Sequence, residues 1–263
     1  RDNQEKADYR NKLDYLEKQE NPRKLLSICK TIEQNKLDKN NWFNIRNAIE
    51  NNSPDENLKK CKDVYNHLYK INAGYITTNF DSFLDQVIGE SKLIDDASLN
   101  EDKPLIKPKI HLHYEDINIT KPITNGDVFH IHGSVRDKRN LVLTTTDYLK
   151  AYNKHPDNKT KFSSLPDFLT QIFVNKTVIF IGYSLEEDFI LEHILDENDA
   201  GGQRHFIIYP FLNNDHKEFE KEYFKQLGII LIHFNIAEYG YKQLYYEIIK
   251  LSELVHSQEK NVL

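Results

Sequence analysis

From residue 71 onward the chain alternates short apolar runs with stretches of helical periodicity, and no other feature restricts its fold as strongly. The apolar runs are Gly74 to Thr78, Val128 to His132, Asn140 to Leu143, Thr177 to Ile181, His205 to Tyr209 and Ile229 to Phe234. Helical patterns accompany many of them, over Phe83 to Ile88, Leu165 to Val174, Leu185 to Asp196, His216 to Leu227 and Tyr239 to Leu251. Strand–helix alternation of this kind implies a parallel sheet that needs cover on both faces. The expected class is therefore α/β, a Rossmann-like parallel sheet with helices on both faces. Residues 91–126 lack a pattern and are rich in Lys, Asp, Asn and Pro, so they read as a long excursion or small lid between two strands.

The first seventy residues read as helical instead. Helices are expected over Pro22 to Gln34, Asn41 to Glu50 and Asp55 to Lys70. The last has a Ser53 cap, Pro54 in its first turn and Glu56 completing a capping box, followed by an apolar stripe of Leu58, Cys61, Val64, Tyr65 and Leu68. Residues 1–70 are thus expected to be a helical cap or insertion of the same domain, and residues 71–263 its catalytic core.

Composition excludes several classes. With 263 residues, 39% of them hydrophobic, the chain can bury a core without staples. A formal net charge of -6 argues against direct nucleic-acid binding, because phosphate contacts need a basic face. Two cysteines, Cys29 and Cys61, cannot form a disulfide framework or a four-cysteine zinc site, and buried thiols in a reducing cytoplasm are the expectation. No run of about eighteen apolar residues is present, so no membrane-spanning segment is expected. The sequence has no Met and starts at Arg1 without a signal peptide, from which we expect the natural chain to begin further upstream.

Chemistry is expected where apolar strands end in polar residues, since ligands of open parallel sheets bind outside the carboxyl ends of strands. Three segments have this form: Tyr75-Ile-Thr-Thr-Asn-Phe-Asp81, Phe129-His-Ile-His-Gly-Ser134 and Ile179-Phe-Ile-Gly-Tyr-Ser184. Residues 76–81 (ITTNFD), 132–134 (HGS) and 181–189 (IGYSLEEDF), in this order, resemble the sirtuin-like (silent information regulator) family, in particular its bacterial branch of anti-phage NAD glycohydrolases. The resemblance covers roughly residues 71–251. It implies that Asn79 holds the nicotinamide ribose or the attacking water, that His132 is the general base, and that Asp81 lies beside that ribose. Thr78, Gly133, Gly182, Tyr183 and Ser184 would contact the dinucleotide, Gly182 by letting the backbone approach closely. The chemistry suits these residue types. Breaking the glycosidic bond to a cationic pyridinium builds an oxocarbenium-like centre, which calls for a carboxylate or oriented dipoles and an imidazole active near neutral pH.

Two departures from the family pattern shape the expectation. The family opens with a strand and a Gly-Ala-Gly-Ser-like loop around the NAD phosphates, whereas no glycine precedes Gly74 here. Deacetylating members carry a four-cysteine zinc ribbon between the segments matching 132 and 182, where this chain has no cysteine. That favours NAD hydrolysis over protein deacylation. The resemblance implies an effector that depletes NAD (abortive infection), acting as a homo-oligomer or with a sensor, an Argonaute-like protein or an ATPase, with NAD as substrate and no metal.

Plainer readings stand beside these. Asn79 and Asp81 can simply cap the helix that follows. His130 and His132 share a strand face, as do His111 and His113, and such pairs can bind metal, which makes a metal-dependent hydrolase a rival. Gly182-Tyr-Ser184 lacks the second glycine of a nucleophile elbow. The acidic run Glu186-Glu187-Asp188 suits the first turn of a helix. A non-enzymatic alternative is an inactive NAD- or ADP-ribose-binding regulatory module.

Overall fold

The computed structural model describes residues 22–34, 44–51, 55–88, 109–152, 165–183, 205–211 and 217–262, together with residues 4, 7, 10, 11, 14, 18, 190 and 194. Among the described residues the early helices include α1 (Pro22–Gln34), α2 (Ile45–Asn51) and α3 (Asp55–Tyr69). The first and third of these coincide with the helices read from the sequence to within a residue. The second matches within the described residues, with residues 41–43 outside them, as is most of the expected helix over 185–196. Ser53 and Pro54 of the expected cap lie outside the described residues.

Among the described residues six strands follow: β1 (Tyr75–Thr77), β2 (Ile110–His111), β3 (Val128–His130), β4 (Ile179–Ile181), β5 (His205–Phe211) and β6 (Ile229–Asn235). All pairings among them are parallel, in two three-stranded sheets of order β1-β3-β2 and β4-β5-β6. This is the parallel, Rossmann-like α/β class that the strand–helix alternation implies. Among the described residues the later helices include α4 (Thr145–Tyr152), α5 (Leu165–Asn175), α6 (Lys217–Gln226), α7 (Ile236–Tyr239) and α8 (Lys242–Val262).

Three expectations need correction. The excursion at 91–126 contains β2, which joins the sheet beside β3 despite being only two residues long. Asn140 to Leu143 is irregular chain rather than a strand. Its Val142 N–H is spent on the His132 carbonyl, and Leu141, Val142 and Leu143 are buried by packing alone. Third, β3 stops at His130 and the chain turns at 131–132, so His130 and His132 do not share a strand face.

Helix α5 joins the two sheets. It buries Leu165, Phe168, Leu169, Ile172 and Phe173. Phe168 packs on Phe129 of β3 with ring centroids 5.0 Å apart, while Phe173 meets Phe180 of β4 at 6.2 Å and His205 of β5 at 5.3 Å. One apolar cluster therefore runs from Ile117 and Ile131 through α5 to Ile207 and Ile229. A second, smaller cluster joins α1 and α2 to the core: Cys29 and Ile45 pack with Leu141 and Leu143, against Phe80. At the other side α3 lies on α8, where His67 Nδ1 and Ser252 Oγ are 3.1 Å apart and Tyr245 hydrogen-bonds Asp63.

Candidate active site

A cavity of about 480 Å³ lies between β1 and β4. Its walls are apolar along the strands, from Ile76, Phe129, Leu169, Ile172 and Phe180. At the strands' carboxyl ends Thr77, Thr78, Asn79, Gly182 and Tyr183 line it. The first and third polar strand ends therefore meet in one crevice. The second contributes Phe129 and Ile131 to that lining but none of its polar residues.

The chain after β1 is held by its backbone. Ile131 N–H donates to the Thr77 carbonyl at 3.1 Å, and Val135 N–H donates to the Phe80 carbonyl at 2.8 Å. The His130 ring reaches the Asn79 carbonyl through Nδ1 at 3.1 Å, and Asn79 N–H donates to Thr77 Oγ1 at 3.1 Å. Every tie on Asn79 is to its main chain. Its side chain is exposed, and no described residue hydrogen-bonds its amide. An amide offering both a donor and an acceptor is thus presented at the polar end of the cavity.

Asp81 takes the plainer role. Its Oδ1 accepts from Phe83 N–H at 2.9 Å, at the start of the helical run over 83–88. Helix capping thus separates the two residues: Asp81 caps, and Asn79 does not.

His132 is buried, 2% exposed, and does not line the cavity. Its Nε2 lies 2.8 Å from the Tyr152 hydroxyl, and its Nδ1 lies 3.5 Å from the Tyr148 hydroxyl. Both tyrosines project from α4, which starts with a reciprocal cap: Asp147 accepts from Thr144 N–H and Oγ1, and Thr144 Oγ1 accepts from Asp147 N–H. Lys30 of α1 closes on Asp147 at 2.7 Å. Burial raises the Asp147 carboxyl, but Lys30 and Thr144 outweigh it and hold it below the usual range. The Thr144-Thr-Thr-Asp147 spacing was the sequence signal for α4, and Tyr148 and Tyr152, one turn apart, were the histidine's partners to be found there.

The two glycines differ. Gly133 has φ +87, and a Cβ there would sit 3.2 Å from Leu141 Cδ2, so both conformation and space demand glycine. Gly182 has φ +64, and none of the described residues lies within 4 Å of a Cβ there. Among them only its left-handed backbone requires glycine. Tyr183 stacks on Phe180 at 5.9 Å. Ser184 and the run Glu186-Glu187-Asp188 lie outside the described residues.

His111 and His113 have other partners. His111 stacks on Phe129 at 4.4 Å, and His113 Nε2 lies 3.1 Å from the Asn140 carbonyl. Among the described residues no three His, Cys, Asp or Glu side chains gather as a metal ion requires. No helix among them is long and apolar enough to cross a membrane.

Parallel strands whose carboxyl ends open on one crevice define a Rossmann-like α/β domain with a ligand site of the kind such sheets carry. The chain belongs to the SIR2-like domain family, which matches residues 73–232. It is also similar to the NAD(+) hydrolase ThsA of Cytobacillus dafuensis, 26% identical over 152 residues, 56% of this chain. That stretch covers 27% of ThsA, so the similarity spans about a quarter of the relative's length.

Proposed function

We propose that this chain is the catalytic domain of an NAD glycohydrolase that cleaves NAD to nicotinamide and ADP-ribose. The observation that carries the reading is that Asn79, exposed and held through its backbone, lines the same crevice as Gly182. Membership of the SIR2-like family and similarity to an NAD(+) hydrolase support NAD as the ligand. In this reading Thr78, Gly182 and Tyr183, with Ser184, hold the dinucleotide, and Asn79 orients the ribose or the water. Asp81 keeps its free carboxylate oxygen for the developing cation while Oδ1 caps the helix. His132, beside Gly133, is the base, with Tyr152 and Tyr148 setting its ring. The proposed biological role is NAD depletion in phage defence, in the cytoplasm, as an oligomer or with a sensor partner.

The test is direct. The purified protein is incubated with NAD and nicotinamide is measured, for the wild type and for Asn79→Ala. Nicotinamide release that disappears in a folded Asn79→Ala protein is the expected result. Release unaffected by the substitution refutes the site.

One observation favours a second reading, a binding module that senses NAD or ADP-ribose without cleaving it. His132 is buried, engaged by Tyr152 and absent from the cavity wall. Tight NAD binding by calorimetry with no nicotinamide released supports that alternative.

A further inference from the structure

Behind Asn79 lies a buried charged group that the proposed reaction does not use. His130 is 1% exposed and Asp85 likewise 1%. The His130 Nε2 and Asp85 Oδ1 atoms face each other at 3.5 Å, and Asp85 Oδ2 receives Arg136 Nη1 at 2.8 Å. Neither His130 nor Asp85 lines the cavity, so neither touches a ligand there. On its opposite side the imidazole meets the Asn79 carbonyl. A carbonyl only accepts, so Nδ1 carries a proton and donates it.

At 3.5 Å the Nε2–Oδ1 contact is longer than a hydrogen bond, and both atoms are buried without another hydrogen-bond partner. A buried carboxylate this close to an imidazole is costly to keep unless it does something for the fold or the site. Here Asp85 stands behind the ring, so the imidazole is confined between the Asp85 carboxyl on one side and the Asn79 carbonyl on the other. Asp85 is carried by the helical run that Asp81 caps, His130 ends β3 opposite Thr77, and the loop bearing Asn79 runs between them. Three elements are thus triangulated onto one backbone carbonyl.

We propose that His130, held by Asp85 and Arg136, is the positioning residue that sets where the Asn79 amide points. This rests on the assignment of Asn79 to NAD cleavage. The effect travels through the main chain: His130 holds the carbonyl of residue 79, and the peptide plane so fixed orients the side chain one bond away. A misplacement of the order of 1 Å at such a group can cost about a hundredfold in rate.

The experiment compares wild type, His130→Ala, His130→Gln, Arg136→Ala and Asn79→Ala for nicotinamide release, with thermal melts and amide hydrogen exchange over residues 77–83. We expect His130→Ala to lower kcat about ten- to a hundredfold with KM changed less than about threefold. His130→Gln, whose amide can still donate to the Asn79 carbonyl, recovers most of that loss. Arg136→Ala, which leaves the buried Asp85 without its 2.8 Å partner and is therefore compared at equal folded fraction from its melt, lowers kcat a few-fold. Exchange over 77–83 quickens in His130→Ala and returns toward wild type in the Gln variant.

Full kcat in a folded His130→Ala protein overturns the proposal. So does activity that merely follows the folded fraction, or a Gln variant no better than Ala. If Asn79→Ala abolishes release while His130→Ala does not, the positioning role alone fails. If the wild type releases no nicotinamide, the functional reading fails and hydrogen exchange decides the positioning role: unchanged exchange in His130→Ala refutes it.

Discussion

The two sheets solve the same architectural problem in different ways. In the β4–β6 sheet the β5–β6 ladder runs seven steps without a break, from His205 opposite Ile229 to Phe211 opposite Asn235. In the β1–β3 sheet the ladders last three steps and two. The backbone groups that short ladders leave unpaired are taken up by side chains. Asp127, 2% exposed, accepts from Lys109 N–H and from Thr124 N–H and Oγ1. Arg46 of α2 reaches the Ser134, Val135 and Arg139 carbonyls. The β5–β6 pair is stabilised by its repeating ladder, whereas β4–β5, also three steps long, and the β1-β3-β2 sheet draw on individually placed polar residues such as His205, Asp127 and Arg46. The second arrangement costs more residues but fixes loops, and the proposed catalytic groups lie on those loops.

That contrast predicts where substitutions hurt activity and where they hurt stability. The largest effect belongs to the side-chain-built region: His132→Ala should lower NAD cleavage about a hundred- to ten-thousandfold, the usual loss for a general base. Tyr152→Phe, which removes the 2.8 Å partner of Nε2, should produce a smaller loss and a changed pH profile. Nicotinamide release across pH on both variants checks this. Wild-type turnover in a folded His132→Ala protein removes His132 from the mechanism.

Next in size comes the ladder-built region. Ile207 of β5 is 0% exposed, and Ile207→Ala should cost about 2–5 kcal/mol in denaturant melts. Ile76 of β1, 37% exposed, should cost well under that when cut to Ala, because less apolar area leaves water there on folding. Equal losses at the two positions break the comparison.

A glycine pair sharpens it further. Gly182→Ala meets only backbone strain, of about 1 kcal/mol, and Gly133→Ala adds pressure on Leu141 for roughly 2 kcal/mol. In double-mutant cycles the recovery should show as coupling: Leu141→Ala, costly by itself, should cost less in the Gly133→Ala background than in wild type, and no less in the Gly182→Ala background. Without that recovery, the close contact at Gly133 is not what costs stability.

The same contrast explains what could be read from the sequence. The long strands and the helices were legible because packing against a core imposes periodicity: Leu165 to Val174 was expected as a helix and α5 spans Leu165–Asn175. The short β2 was not, since two residues carry no period and the strand owes its place to β3. Asn140 to Leu143 misled because burial alone makes an apolar run, and its backbone pairs with a turn instead of a strand. At the site, motif order located Asn79 and Gly182 on one cavity. The separation of Asn79 from Asp81, and the engagement of His132 by Tyr148 and Tyr152, depend on contacts between residues far apart in the chain or on rotamers, which spacing does not encode.

The smallest expected effect concerns the ion cluster that fastens the loop after Ser134. Arg139 binds Asp137 and Asp116 through its guanidinium, joining the 134–140 loop to the 3₁₀ turn at Tyr114–Asp116. Arg139 holds the Asp137 carboxyl down at about 2 and Asp116 also below its usual range, against the opposing effect of burial. A carboxyl whose folded pKa is depressed favours the folded state while it is ionised. Its contribution is complete above the unfolded value, near 3.9, and is lost as pH falls toward 2. Arg139 is 38% exposed, so solvent screening limits the cluster to less than about 1 kcal/mol. Arg139→Ala should therefore melt slightly below wild type at pH 6 to 7, and the gap should close as pH drops from about 4 toward 2. Added salt should narrow the gap at neutral pH. A gap that widens in acid, or one indifferent to both pH and salt, would mean that the loop is held by Arg46 and its three carbonyl contacts rather than by these charges.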